Sequence, residues 1–220
     1  MLLSMNVIEL FSSIDGEGKR QGFLTTFLRL HDCNIRCSYC DTLYSYGPES
    51  TFESMSVQAV ADAIEQLENH RITITGGEPL LQEPAIIELI DELTRRNAQY
   101  DFNIETNGTI IPSFHRDNVW FTYDYKTPSS LAEDAMNLDI FKVATPADII
   151  KFVVGSMQDL DRMDEILKTY PTDAQIFVSP VWGNIEGATI IEYMKAHNWQ
   201  NVRFQLQIHK FIWDPDAKGV

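Results

Sequence analysis

The chain is expected to adopt an α/β fold in which a mainly parallel sheet curves into an incomplete, TIM-like barrel of about six strands with helices outside it. Three observations predict this. Apolar, strand-like runs alternate with helical periodicities along the sequence, the order produced by right-handed βαβ crossovers. The units number six or seven, too few for a closed eight-stranded barrel in 220 residues. Glycines and unusual polar residues recur just past the strand ends, where α/β folds place their chemistry.

Taken in order, Met1–Met5 runs straight into the strand-like N-V-I-E-L-F, with no visible leader segment. Leu24–Leu30 reads as a strand and leads into a cysteine-bearing loop. Ser56 is placed as an N-cap, opening a helix to about Glu68 with Val57, Val60, Ala61, Ile64 and Leu67 on one face. Residues 71–75 form a strand ending at Gly76-Gly77, and Pro84 suits the first turn of a helix to about Asn97. Strands are predicted over 102–106, 119–123, 149–154, 175–179 and 202–208, with helices over 158–169 and 186–197 separating the last three. Cys33 thus follows the first strand of this series, Gly76-Gly77-Glu78-Pro79 the second and Glu105-Thr106-Asn107-Gly108 the third. Lys126 follows the fourth, and Ser179-Pro180 a later one.

Length fits one domain, residues 1–220, with no repeat or convincing linker. At 44% hydrophobic and 22% charged residues the chain can bury a real core. No apolar run approaches the ~20 residues of a membrane span. A net charge of −15 argues against nucleic acid, whose affinity depends on displacing counterions with Lys and Arg, but leaves room for a small anion met by a few local cations.

All three cysteines lie in H-D-C-N-I-R-C-S-Y-C-D-T, as Cys33, Cys37 and Cys40. The C-x3-C-x2-C spacing lets three thiolates converge on one metal centre. A [4Fe–4S] cluster usually takes four thiolates, so three would leave one iron open to a small ligand. A zinc site would need His31 as a fourth ligand at tight spacing. Disulfides would leave one cysteine over. Unpaired cysteines of this kind suit a reducing cytoplasm.

With an aromatic at Tyr39 before the last cysteine and G-G-E-P after the next strand, the chain resembles the radical S-adenosylmethionine (SAM) superfamily. Further elements are similar to its 7-carboxy-7-deazaguanine synthase branch: I-D-G-E-G-K-R-Q-G from Ile14 to Gly22, Arg29, the C-D-T after the cysteines, and L-Q-I-H-K-F-I-W from Leu206 to Trp213. That resemblance implies contraction of 6-carboxy-5,6,7,8-tetrahydropterin to 7-carboxy-7-deazaguanine with loss of ammonia, toward queuosine and other deazapurines. One electron enters the cluster and cleaves SAM to a 5′-deoxyadenosyl radical. The radical takes hydrogen from C6, the ring rearranges and SAM is regenerated.

The resemblance also implies a site. The three cysteines hold the cluster, and Thr42 ligates Mg²⁺. SAM meets Tyr39, Asp41, Gly76, Gly77, Glu78, Glu105, Asn107, Asp124, Tyr125, Lys126 and Ser179, although Asp124-Tyr125-Lys126 stands where the family tends to have Ser-Pro-Lys. The pterin meets Ile14, Asp15, Gly16, Glu17, Arg29, Thr75 and His209. Asp15 replaces a common Gln, and an acid still accepts from pterin N–H groups. Arg29 would fork onto the substrate carboxylate; by composition alone it could equally pair with Asp32 or another local acid. A flavodoxin or ferredoxin as electron donor and a homodimer are the implied partners. Two other readings stay open: a glycyl-radical-enzyme activase, which would leave I-D-G-E-G and Q-x-H-K-x-x-W unexplained, and a non-catalytic Fe–S or zinc-binding module.

Overall fold

In the computed structural model, which describes residues 3–220, the alternation becomes nine strands of one sheet. They are β1 (Ser4–Ile14), β2 (Leu24–Leu30), β3 (Glu53–Ser56), β4 (Arg71–Gly76), β5 (Asp101–Thr106), β6 (Val119–Lys126), β7 (Ile149–Val154), β8 (Gln175–Pro180) and β9 (Val202–Phe204). Their spatial order is β3-β1-β2-β4-β5-β6-β7-β8-β9. The seven strands from β2 to β9 in that order run parallel. β1 pairs antiparallel with both β2 and β3, adding an antiparallel margin that helical and strand periodicity did not predict.

Helices α1 (Val57–Glu65), α2 (Glu83–Arg96), α3 (Ile140–Val143), α4 (Met157–Thr169), α5 (Gly187–Ala196) and α6 (His209–Ile212) fill most crossovers. Ser56 caps α1 by accepting from Ala59 N at 3.2 Å, as expected. The helix ends at Glu65 rather than Glu68, because Leu67 and Glu68 donate back three residues and Glu68 then turns to φ +52°. Pro84 sits in the first turn of α2, which buries Ala85, Ile86, Leu89, Ile90 and Leu93. Among the described residues no helix is long and apolar enough to cross a membrane.

Side chains alternate across a strand with period two. One face of the sheet is apolar: Leu28, Ile74, Phe102, Ile104, Tyr123, Phe152 and Val178 join the core with the buried stripes of α1, α2 and α4. The other face carries Arg29, Thr75, Glu105, Asp124, Lys126 and Lys151, residues from five strands that all line one cavity. Five neighbouring strands can share a cavity only if the sheet bends around it, which gives the incomplete barrel its shape.

Loop bonds span the gap that the ladder leaves open. Gly18 N donates to Gln205 Oε1 at 2.8 Å, and Ile208 N donates to Gly16 O at 3.1 Å. The last strand therefore stops at Phe204, short of the expected 208, because the chain beyond it turns to meet the β1–β2 loop.

Candidate active site

The cavity measures about 1010 Å³, enough for more than one small ligand. The loop after β2 puts Cys33, Cys37 and Cys40 on its wall, each partly exposed. That loop is laced to neighbouring strand ends by polar bonds. Ser38 N donates to Ser130 O at 2.9 Å, and Asn107 Nδ2 donates to Asn34 Oδ1 at 2.9 Å while lying 3.7 Å from Cys33 Sγ. Burial pushes the Cys33 and Cys37 thiols up, so their ionisation is left to metal binding. Three soft donors on one cavity-lining loop fit a cluster. The His31 ring packs tilted against Phe52 instead, with centroids 4.3 Å apart, and is not on the cavity wall.

Gly76 and Gly77 bring the end of β4 against this loop. A Cβ on Gly77 would stand 2.0 Å from Asp32 O and 2.9 Å from Cys33 Cβ, so no side chain fits there. The Gly77 and Glu78 N–H groups are taken by Leu30 O and Asp32 O at 3.2 and 2.7 Å. What this turn can offer an amino group is therefore its carbonyls. Glu78 is fully buried; its carboxylate accepts from Leu80 N, Thr106 Oγ1 and Asn107 N at 2.7–3.0 Å. It braces the ends of β4 and β5 from below and does not line the cavity.

Arg29 projects from β2 into the cavity. Its Nε donates to Glu9 Oε1 at 2.6 Å, and Tyr44 Oη donates to the same oxygen at 2.7 Å. The acid that holds Arg29 is thus Glu9, not Asp32, whose Oδ1 accepts from Cys33 N. Its two terminal nitrogens have no hydrogen-bond partner among the described residues, which leaves the guanidinium fork for a ligand carboxylate. Thr42 lines the cavity nearby, its Oγ1 3.7 Å from Cys40 Sγ and unused as a helix cap, so the hydroxyl can face a hard cation.

Across the cavity the charges concentrate. Lys151 Nζ lies 2.8 Å from Glu17 Oε2 and 3.2 Å from Asp124 Oδ1, and Lys126 Nζ lies 3.1 Å from Asp124 Oδ2. Burial pushes Asp124 up, but the two ammoniums outweigh it and hold the carboxyl below its ordinary value. Burial lowers Lys151, and Asp124, Glu17 and Glu105 overrule it, keeping the ammonium charged well past neutrality. Glu105 has one long contact, from Thr75 Oγ1 at 3.4 Å; burial, against the pull of Lys151, raises it to about 7. Asp15, bonded by Thr73 Oγ1 at 3.2 Å, is raised by burial to about 6.

The expected site residues sort clearly by placement. Ile14, Asp15, Gly16, Glu17, Arg29, Thr75 and His209 all line the cavity, as do Tyr39, Asp41, Gly76, Gly77, Glu105, Asn107, Asp124 and Lys126. His209 packs directly on Gly16, where a Cβ would lie 2.0 Å from its Nδ1. Glu78, Tyr125 and Ser179 stand apart from it. Strand alternation sends Tyr125 to the apolar face, where its ring lies 4.9 Å from that of Phe152 and its hydroxyl donates to Glu133. Ser179 is fully buried. Sequence reasoning passed over Lys151, Glu9 and Tyr44, and left the role of the tail open; residues 215–220 also line the cavity, with Lys218 Nζ 4.1 Å from the Tyr44 ring centroid. A lysine inside I-I-K-F-V-V was the signal for the first.

Comparison with known proteins identifies the family. The radical SAM superfamily model matches residues 29–153. The 7-carboxy-7-deazaguanine synthase of Clostridium acetobutylicum is 37% identical, covering 99% of this chain and all of the relative. That of Methanospirillum hungatei is also 37% identical, covering 96% of this chain and 86% of the relative. The crystal structure of QueE from Escherichia coli shares the fold at a TM-score of 0.69, with 24% identity over 92% of this chain and 93% of that one. The chain therefore belongs to the radical SAM superfamily and, within it, to the family of 7-carboxy-7-deazaguanine synthases.

Proposed function

We propose that this radical SAM lyase contracts 6-carboxy-5,6,7,8-tetrahydropterin to 7-carboxy-7-deazaguanine and ammonia, acting as one domain over residues 1–220. The observation that carries this is the sharing of one cavity by three cluster-type cysteines, a guanidinium fork and a carboxylate-rich wall. Bound cluster and SAM supply the radical that removes a hydrogen atom from the pterin. The chain supplies position and charge.

Cys33, Cys37 and Cys40 hold the cluster. The Gly76-Gly77 carbonyls, Tyr39, Asp41, Asn107, Asp124 and Lys126 frame SAM. Arg29, fixed by Glu9, takes the substrate carboxylate, and Thr42 takes Mg²⁺ beside it. Asp15, Glu17 and Glu105 offer acceptor oxygens to the N–H-rich edge of the pterin, with Thr75 and His209 bordering it. A flavodoxin or ferredoxin as reductant, a homodimeric assembly and a cytoplasmic setting complete the reading.

The test is anaerobic turnover of the reconstituted protein with SAM, dithionite, Mg²⁺ and the carboxytetrahydropterin, followed by mass spectrometry. The deazaguanine product without net SAM consumption is the expected result. Slow release of 5′-deoxyadenosine with no deazapurine would overturn the substrate while leaving the superfamily assignment in place.

A further inference from the structure

Lys151 has no part in the roles above, yet it stands among charged groups on the cavity wall. It sits in the middle of β7, 4% exposed, between Ile150 and Phe152, which enter the core. An ammonium has three donors and no acceptor; one donates to Glu17 Oε2 at 2.8 Å, and Asp124 Oδ1 lies at ion-pair distance, 3.2 Å. Asp124 has a second cation in Lys126. No other cation lies within ion-pair distance of Glu17 among the described residues.

The groups gathered around Lys151 are mostly acids. Asp15 and Glu17 come from the β1–β2 loop, Glu105 from β5 and Asp124 from β6, while Lys126 and the His209 ring complete the set. Four carboxyls thus meet two ammoniums. Glu17 Oε2 is used by Lys151, whereas Glu17 Oε1 is buried with no partner among the described residues. A buried acceptor left open in this way is costly unless a ligand donor completes it. It belongs to a cavity-lining residue.

We infer that Lys151 is a positioning residue for the substrate: it clamps Glu17 so that the open Oε1 accepts an N–H of the ligand's donor-rich edge, and it ties this contact through Asp124 to the cofactor side. The inference rests on the reading of this cavity as the pterin site. It assigns Lys151 no contact with the reacting atoms. Its charge also keeps protons off the acid-rich wall, so its removal should make ligand binding more sensitive to acid.

The experiment measures binding of oxidised, unreactive 6-carboxypterin to the reconstituted enzyme with SAM, by quenching of pterin fluorescence across the near-neutral pH range. Lys151→Met should weaken binding roughly tenfold to a hundredfold and move its acid limb up by about one pH unit. Lys151→Arg should restore most of the affinity. In a Glu17→Gln background, Lys151→Met should have little further effect, since the two act as one unit. If Lys151→Met alone fails to fold, the paired Glu17→Gln/Lys151→Met variant, which leaves Glu17 uncharged, is compared with Glu17→Gln; a further loss of affinity would overturn the inference. Wild-type affinity and an unshifted acid limb in Lys151→Met would also overturn it. Absence of pterin binding by the wild type would instead strike the substrate reading on which it rests.

Discussion

Along β7, Ile150, Phe152 and Val154 enter the apolar core, while Lys151 and Val153, one residue out of phase, face the cavity. The same offset runs through β4, β5 and β6, so a single sheet presents a dry face to its helices and a charged face to its ligands. The two faces use burial in opposite ways. On the core face, contact with Leu, Ile and Phe removes apolar area from water and stabilises the fold. On the cavity face, burial opposes charge, and it is tolerated only because acids and ammoniums are placed together. Glu78 and Glu105 mark the boundary between the two uses. Glu78 has its oxygens filled by protein donors and serves the fold, whereas Glu105 has one long contact and remains open to the site.

Removing a cluster ligand should break the cavity face most completely. Cys37→Ala is expected to lose bound iron and all turnover, with circular dichroism unchanged; retained iron and activity would remove Cys37 from the ligand set. Phe152→Ala attacks the other face. Its ring is fully buried, and truncation should lower stability by about 3–5 kcal/mol in urea unfolding while the pterin affinity of the folded protein persists.

Arg29→Ala should weaken pterin binding by roughly tenfold to a hundredfold and leave cluster and SAM binding intact, because Glu9 keeps its bond from Tyr44. Unchanged pterin affinity would send the carboxylate elsewhere. The smallest effect concerns pH. Glu105 titrates near 7 in the fold against 4.5 ordinarily, so between those values the native state binds more protons than the unfolded chain. Stability from this group is therefore present below pH 4.5 and lost as pH rises toward 7. Glu105→Gln should flatten that loss by about 1–3 kcal/mol, read from denaturation midpoints at both ends of the window.

Much of this division is legible in the amino-acid sequence. Most strand starts, the cysteine loop and the glycine turn followed from hydrophobic runs and punctuation, whereas β3 and the ends of β6 and β9 did not. What escaped notice was set by contacts distant in sequence. Glu9 lies 20 residues from the arginine it holds, and only the antiparallel pairing of β1 with β2 brings them side by side. The phase of Asp124-Tyr125-Lys126 was readable in principle: β6 continues through Lys126, so Tyr125 must turn away from its two neighbours. Reading Lys126 as lying beyond the strand obscured that. Lys151 was hidden for the opposite reason, since one charge in an apolar run looks like an interruption until its partners, 134 residues upstream in the case of Glu17, are known.

The sheet's outermost members are also its shortest. β3 has four residues and β9 three, and each pairs along one side only. An unpaired strand edge is a template on which another chain can add, and its danger grows with its length. Here the longer strands lie inside, and the exposed templates are stubs that carry Glu53 and Arg203. Without closing its barrel by a strand ladder, the molecule therefore offers little foothold for edge-to-edge aggregation.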